Sequence, residues 1–492
     1  MRTLRRAFIA VAVLIPVVAS TAATSAPLPS PWHLDRINQA RLPLDSNVSL
    51  GALTGAGIDI YIVDSGVLGA HEQFGGRVIP GIDIPTNLGD SVVSPATTDC
   101  DGHGTHVSAL AAGSTVGVAP GARIIAVRVL DCDGEGNVED VVAALKWVRG
   151  HHKSGVAAVV NLSIGVDLGD DGTSIDSQVT ALIEEGVVVT VAAGNGDKNE
   201  SPLNACDIAP GDVPRALTVG SITVSDAVAP YSNFGPCVDL LAPGGTNARA
   251  VYSAWYTSPT AYDNDAGTSM ASPLVAGYAA LLAQQQPGLC TDQISNAIVE
   301  RATAGVITGL GPTTANKLLF INTAPIALGT PGQPSHVVTT VENGSVVASW
   351  DAPCDGGSPI TSTTVSLLRK GKVIARKSVA PGTTAVRFSN LKNNYSYQVV
   401  VKAQNALGEG VATHRVSTAS VRALRVGLRA APTAIATFGG DLKLQWNISS
   451  ASRSVCKIIA GQVRFLRAGT CKVGLRTYAG ATPVLRSLRV SR

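Results

Sequence analysis

Residues 99–107, D-C-D-G-H-G-T-H-V, hold two acids, one thiol and two imidazoles, with a glycine on each side of His103. That density suits three chemistries: a zinc site on Asp99, Cys100, His103 and His106, a disulfide corner beside solvated acids, or a catalytic base. Two further motifs bear on the choice. Residues 60–66, I-Y-I-V-D-S-G, end an apolar run at Asp64 in a turn, and residues 267–277, G-T-S-M-A-S-P-L-V-A-G, place Ser269 at the start of a helix whose first turn admits Pro273. A serine hydroxyl is a weak nucleophile near neutral pH and needs a base. An imidazole base in turn needs a carboxylate to fix its tautomer and stabilise the imidazolium. Asp, His, Ser is one of the chain orders in which that triad occurs. The base is therefore the preferred reading of His103, and activity is expected to rise through about pH 6 to 8 as the imidazole loses its proton.

Such groups need a frame. Residues 58–63 (I-D-I-Y-I-V), 123–129 (R-I-I-A-V-R-V), 156–162 (V-A-A-V-V-N-L) and 187–191 (V-V-V-T-V) are short apolar runs rich in β-branched residues, and helical stretches such as 138–148 lie between them. This interleaving predicts an α/β fold: a parallel sheet flanked by helices on both faces, with functional groups at the carboxyl ends of its strands. At 492 residues the chain is too long for a single core. The α/β pattern stops near Pro325, and residues 326–333 read as a Pro/Gly linker. Residues 334–418 then alternate apolar and polar positions, as in V-V-A-S-W and Y-S-Y-Q-V-V-V, which predicts an antiparallel sandwich. Residues 419–492 form a second small all-β segment.

Residues 1–26 have the charged start, apolar run and small-residue end of a secretory signal, and no later run is long enough to span a bilayer. The expected location is extracellular, with the cell wall as one site. Export makes the eight cysteines candidates for disulfides. Charge is uneven: Lys+Arg against Asp+Glu is 13 to 30 over residues 27–330, 9 to 4 over 331–418 and 13 to 1 over 419–492. An acidic body thus carries a basic tail, suited to an anionic polymer, and no base-reading motif points to sequence-specific nucleic acid. The expected state is a monomer.

Seven stretches together carry a family resemblance: P-W-H-L-D-R-I at 31–37, V-D-S-G at 63–66, D-G-H-G-T-H-V at 101–107, N-L-S-I-G at 161–165, V-A-A-G-N at 191–195, Y-S-N-F-G at 231–235 and G-T-S-M-A-S-P at 267–273. With them, residues 27–325 resemble a subtilisin-like serine protease of the proteinase K and aqualysin branch. The resemblance implies a secreted endopeptidase working on protein and peptide substrates through an acyl-enzyme. It implies Asp64, His103 and Ser269 as the triad and the Asn195 amide with the Ser269 N–H as oxyanion donors. Ser163, Ile164 and Gly165 on one side, and Gly134 and Gly136 on the other, would flank an extended peptide. Ala192, Ala193 and Gly194 would line an uncharged specificity pocket suited to an apolar or aromatic residue. Asp133 and Glu135 either favour basic residues upstream or form a solvated acidic loop.

The same resemblance implies disulfides Cys100–Cys132 and Cys206–Cys237, and a likeness of residues 455–472 to a cysteine-paired Ig-like motif implies Cys456–Cys471. Cys290 and Cys354 either bridge the two parts or stay free. Structural calcium is implied at Pro214, Ala216 and Asp239, and at Asp35, Gln39, Asp45 and Asn47, where Asn38 stands in place of an acid. Zinc loses its case, since Cys100 has a partner and His103 a better role. Asp99 and Asp101 are then expected as exposed turn acids, and His106 as a helix residue with no required role. Residues 334–418 resemble a fibronectin type III module, through P-S-H-V, S-W-D-A-P and Y-S-Y-Q-V-V-V-K-A-Q-N. The family's folding pro-domain has no counterpart between the signal and Pro31, which leaves open folding without one, a foldase in trans or a lost start. A non-catalytic adhesive protein on the same fold is the rival reading, and the intact triad with Asn195 speaks against it.

Overall fold

The computed structural model describes residues 31–84, 99–153, 156–167, 172–342, 344–392 and 395–413, then 416–417, 429–430, 436–437, 445–448, 454–459, 462–466, 469–476 and 484–490. The expected signal segment lies outside them. The chain divides into two compact units, Met1–Ala327 and Leu328–Arg492.

The strands of the first unit are β1 (Asp59–Asp64), β2 (Val78–Asp83), β3 (Arg123–Arg128), β4 (Ala158–Leu162), β5 (Val166–Asp167), β6 (Val187–Ala192), β7 (Ile208–Ala209), β8 (Leu217–Ile222), β9 (Leu240–Pro243), β10 (Val251–Ala254), β11 (Tyr262–Asp265), β12 (Thr303–Ala304) and β13 (Lys317–Leu318). Its helices are α1 (Trp32–Ile37), α2 (His103–Ala112), α3 (Val138–His151), α4 (Gly172–Glu184), α5 (Thr268–Gln285) and α6 (Thr291–Arg301). Nine strands form one sheet in the order β12-β13-β9-β8-β6-β4-β1-β3-β2. All of its pairings are parallel except the β12–β13 edge.

Side chains of β1 go alternately to the two faces. Ile60 and Ile62 join the core beneath α2 and α5, and Tyr61 and Val63 join the core beneath α3 and α4. Burial on both faces is why these strands read as unbroken apolar runs. Because the strands are parallel, the chain leaves β1, β3, β4 and β6 at one edge. Asp64 ends β1, which lies between β3 and β4, so the segments after β3 and β4 flank it.

The second unit contains β14 (Ser335–Glu342), β15 (Ser345–Asp351), β16 (Ile360–Arg369), β17 (Lys372–Val379), β18 (Ala385–Phe388), β19 (Gln398–Asn405), β20 (Gly408–Glu409) and β21 (Val416–Ser417). One sheet runs β18-β15-β14 and the other β17-β16-β19-β20, and Trp350, Leu367, Tyr397 and Val399 fill the core between them. The Tyr397 hydroxyl donates to the Lys392 carbonyl at 2.9 Å. Residues 436–437, from the last segment, pair with β14, and the strands at Cys456–Ile459 and Gly469–Arg476 carry a Cys456–Cys471 disulfide.

Part of the stretch expected as linker is held rather than free. Gly329 N donates to Gly356 O, Gly332 N to Cys354 O, and Val411 N to Pro331 O. Glycine permits this approach, since a Cβ at Gly410 would lie 2.1 Å from the Pro331 carbonyl. Neither Cys290 nor Cys354 is a free thiol.

Candidate active site

His103 opens α2, and both adjoining glycines have steric reasons. Gly102 has φ 115°, a left-handed value, and a Cβ there would lie 2.5 Å from the Trp255 ring. A Cβ at Gly104 would lie 2.1 Å from the Gly66 carbonyl, so only glycine lets the helix start against the turn after β1. That contact brings His103 Nδ1 to 2.8 and 3.0 Å from the two oxygens of Asp64. Asp64 is fully buried and His103 is 5% exposed. Nδ1–H donates to the carboxylate, which leaves Nε2 as the proton acceptor. Burial alone would lower the His103 pKa, but the Asp64 charge and hydrogen bond, helped by Asp265 and Asp101, outweigh it and raise it above the usual 6.5.

Ser269 is the second residue of α5, a helix that packs against α2. Its N–H makes no hydrogen bond among the described residues, as befits a first-turn amide. Asn195, three residues past β6, faces the same turn. Its Oδ1 accepts from Thr268 N at 2.9 Å and from Thr268 Oγ1 at 2.8 Å, so the amide is fixed with its Nδ2 donor unused among the described residues. Asn195 Nδ2 and Ser269 N–H are thus two available donors on either side of Gly267.

Ser163 couples Ser269 to the sheet. Pro273 lies beyond the first turn of α5, contrary to expectation, and has no N–H to give the Ser269 carbonyl. The Ser163 hydroxyl supplies the missing donor at 2.9 Å, while the Ser269 hydroxyl donates to the Ser163 carbonyl at 3.3 Å. Asn161 Nδ2 holds Ser163 Oγ at 3.0 Å and is itself fixed through Ser272 and Thr190. No hydrogen bond joins Ser269 to His103 among the described residues. In a site without substrate that bond is commonly long and tightens on binding.

Ser163 and Ile164 are buried and Gly165 half-buried after β4; Gly134 and Gly136 are buried in the loop after β3. These are the segments on either side of β1. Ala192 and Ala193 are buried, and Gly194 has φ 98° with its missing Cβ 2.4 Å from Asn233 Nδ2. Asn233 was not singled out from sequence, yet it pins this wall: Nδ2 donates to Ala193 O, and Oδ1 accepts from Gly196 and Leu203 N–H.

Two expectations need correction. Asp99 is 6% exposed, and its carboxylate accepts five donors: Ser65 Oγ, the N–H groups of Asp101, Gly102 and Thr105, and Thr105 Oγ1. It builds the turn into α2, and half-buried Asp101 accepts the His103 N–H. His106 is fully buried; burial holds its pKa low, and the neutral ring donates Nε2–H to the Val251 carbonyl at 3.1 Å, tying α2 to β10.

The structure pairs Cys100 with Cys132 and Cys206 with Cys237, so Cys100 is no zinc thiolate. For calcium, the donors named are oxygens, although no group of three or more His, Cys, Asp or Glu side chains converges among the described residues. Asp239 accepts the Thr218 N–H, and burial pushes its pKa up to about 6, with no ion pair among the described residues. Pro214 and Ala216 lie just before Thr218 in the chain. In the second set, Asp35 accepts Ser46 N–H, Gln39 accepts Asp45 N–H and Asp45 accepts Asn47 N–H. Two oxygens there, Asp35 Oδ1 and Asn38 Oδ1, are buried without a hydrogen-bond donor among the described residues, a state that a cation would relieve.

A family model described as the subtilase family matches residues 55–318, and one described as the fibronectin type III domain matches residues 332–420. The chain is 43% identical over 292 residues to an extracellular serine proteinase of Thermus sp. (strain Rt41A), covering 59% of this chain and 66% of that protein. It is 40% identical over 289 residues to alkaline serine exoprotease A of Vibrio alginolyticus, covering 59% of this chain and 50% of that one. Thus it spans between half and two thirds of these relatives. The crystal structure of a cold adapted subtilisin-like serine proteinase superposes with a TM-score of 0.54 at 39% identity, covering 60% of this chain and all of that one.

Proposed function

The chain belongs to the subtilase family, and on that premise we propose that it is a secreted serine endopeptidase that cleaves peptide bonds through an acyl-enzyme on Ser269. The observation that carries this reading is the buried Asp64–His103 pair set beside a helix start that offers Ser269 and two unused oxyanion donors.

On substrate binding the Ser269 hydroxyl turns from the Ser163 carbonyl to His103 Nε2. Oγ attacks the peptide carbonyl as Nε2 takes its proton, and Asp64 stabilises the imidazolium. Asn195 Nδ2 and Ser269 N–H receive the oxyanion. His103 then protonates the leaving amine, and a water repeats the sequence to free the acid. The peptide runs between the segments 163–165 and 134–136. The uncharged wall of Ala192, Ala193 and Gly194 favours an apolar or aromatic residue before the scissile bond.

Calcium would be held by the oxygens of Pro214, Ala216 and Asp239, or of Asp35, Gln39, Asp45 and Asn47, where its charge would offset that of the carboxylates. The tail at 419–492, with 13 basic residues to one acid, favours contact with an anionic polymer. Hydrolysis of casein and of an apolar peptide anilide, compared with Ser269→Ala, tests the assignment. Wild type should release product steadily and the variant almost none; equal rates in calcium-containing buffer would refute it.

A further inference from the structure

One buried cation near the site takes no part in the mechanism. Arg128 ends β3 with its side chain 5% exposed. Its Nη2 lies 3.1 Å from Cys100 Sγ and 3.8 Å from Cys132 Sγ, Nε donates to the Leu130 carbonyl at 3.1 Å, and Nη1 meets Asp83 at 3.4 Å. A neutral disulfide gains little from a guanidinium. A thiolate gains much, because an adjacent cation lowers the thiol pKa. Arg128 therefore favours the opened bond relative to the closed one. The two sulfurs also belong to residues of unequal access: Cys132 is exposed and Cys100 half-buried. An attacking thiol meets Cys132 first, and the group that must leave is the one Arg128 stabilises. The Cys206–Cys237 disulfide has no cation hydrogen-bonded to its sulfurs among the described residues.

We propose that Cys132 is a thiol-exchange site at which a dithiol reductant opens the Cys100–Cys132 disulfide, Cys100 leaving as a thiolate held by Arg128, and that opening lowers peptidase activity. The reductant's thiolate attacks Cys132 Sγ, and the Cys100–Cys132 bond breaks with its electron pair on Cys100. The reductant's second thiolate attacks the mixed disulfide and releases Cys132. The protein gains two thiols, and the dithiol becomes a disulfide.

The bond joins two parts of the site. Cys100 lies between Asp99, which builds the turn into α2, and Asp101, which holds the His103 N–H. Cys132 follows Asp131, whose Oδ1 takes the N–H groups of Asp133 and Glu135 and so shapes the loop carrying Gly134 and Gly136. Opening the bond frees the substrate loop from the turn that aims His103. The effect on activity rests on the peptidase reading; the order in which the disulfides open does not.

The test is a native dithiothreitol titration of the full chain, with timed alkylation, mass spectrometry and a parallel peptide anilide assay. Cys100 and Cys132 should be alkylated about tenfold faster than Cys206 and Cys237. Hydrolysis should fall in step, and Arg128→Met should slow the opening by about tenfold. Opening of Cys206–Cys237 first or at the same rate, an unchanged rate in Arg128→Met, or full activity in the opened chain would each overturn the proposal. Should Arg128→Met not fold, the order in the native chain decides. An oxidised chain that hydrolyses nothing fails the peptidase reading, and the alkylation order then judges the exchange site by itself.

Discussion

At His103, burial favours the neutral imidazole and the Asp64 carboxylate favours the charged one, and the carboxylate wins. The sign of the consequence is fixed by the mechanism. The working form is neutral, so a raised pKa moves the acid limb of kcat/KM upward, beyond the pH 6 to 8 expected of an ordinary imidazole. The pH–rate profile should still be rising at about pH 8; a limb centred at or below 6.5 would show that Asp64 does not hold the proton on His103. The three residues proposed for catalysis were legible as a set because each sits at a sharp local signal: an acid ending an apolar run, a histidine between glycines, a serine opening a small-residue helix. Asp99 was not. An acid in a polar, glycine-rich turn reads as solvated, and nothing in its spacing reveals that Ser65, just after β1, and Thr105 close over it.

Between elements, the coupling of β4 to α5 is the least legible part of the site, because its partners are 106 residues apart. Pro273 could be read as a helix-compatible proline, but the carbonyl it leaves unpaired finds its donor only in the folded chain. Ser163→Ala removes that donor and should cost about 1–3 kcal/mol of stability, from a buried carbonyl without a partner. It should also lower kcat more than it raises KM, because the start of α5 loses its anchor while the peptide-binding backbone remains. Adding Pro273→Ala restores a helical N–H to the Ser269 carbonyl and should recover part of the loss. Thermal melts and steady-state kinetics of the single and double variants check this, and a double variant no better than Ser163→Ala would show that the Ser269 carbonyl is not what Ser163 serves. The parallel sheet, by contrast, was legible from its interleaved apolar runs, since burial on both faces leaves little room for polar side chains.

For the whole molecule, the acidic first unit poses a stability question that its buried carboxylates sharpen. Asp35 and Asp239 are both held above the usual carboxylate range by burial, Asp35 with Asp45 adding to the effect. A cation that binds only the folded chain stabilises it, by about 2.7 kcal/mol at a hundred times its Kd. EGTA should therefore lower the Tm, and Asp239→Asn or Asp35→Asn should each shrink the response to chelator; an unchanged Tm in EGTA would remove the calcium sites. The boundary near residue 327 follows the change from α/β alternation to strand alternation, whereas the hydrogen bonds that hold residues 329–332 depend on glycines far along the chain and could not be read locally. The central claim, that Ser269 is a nucleophile driven by His103, is tested most directly by treating the native protein with a fluorophosphonate and locating the adduct by mass spectrometry. A single adduct on Ser269, absent from His103→Ala, is the predicted result; an unlabelled Ser269 in folded, oxidised protein would contradict it.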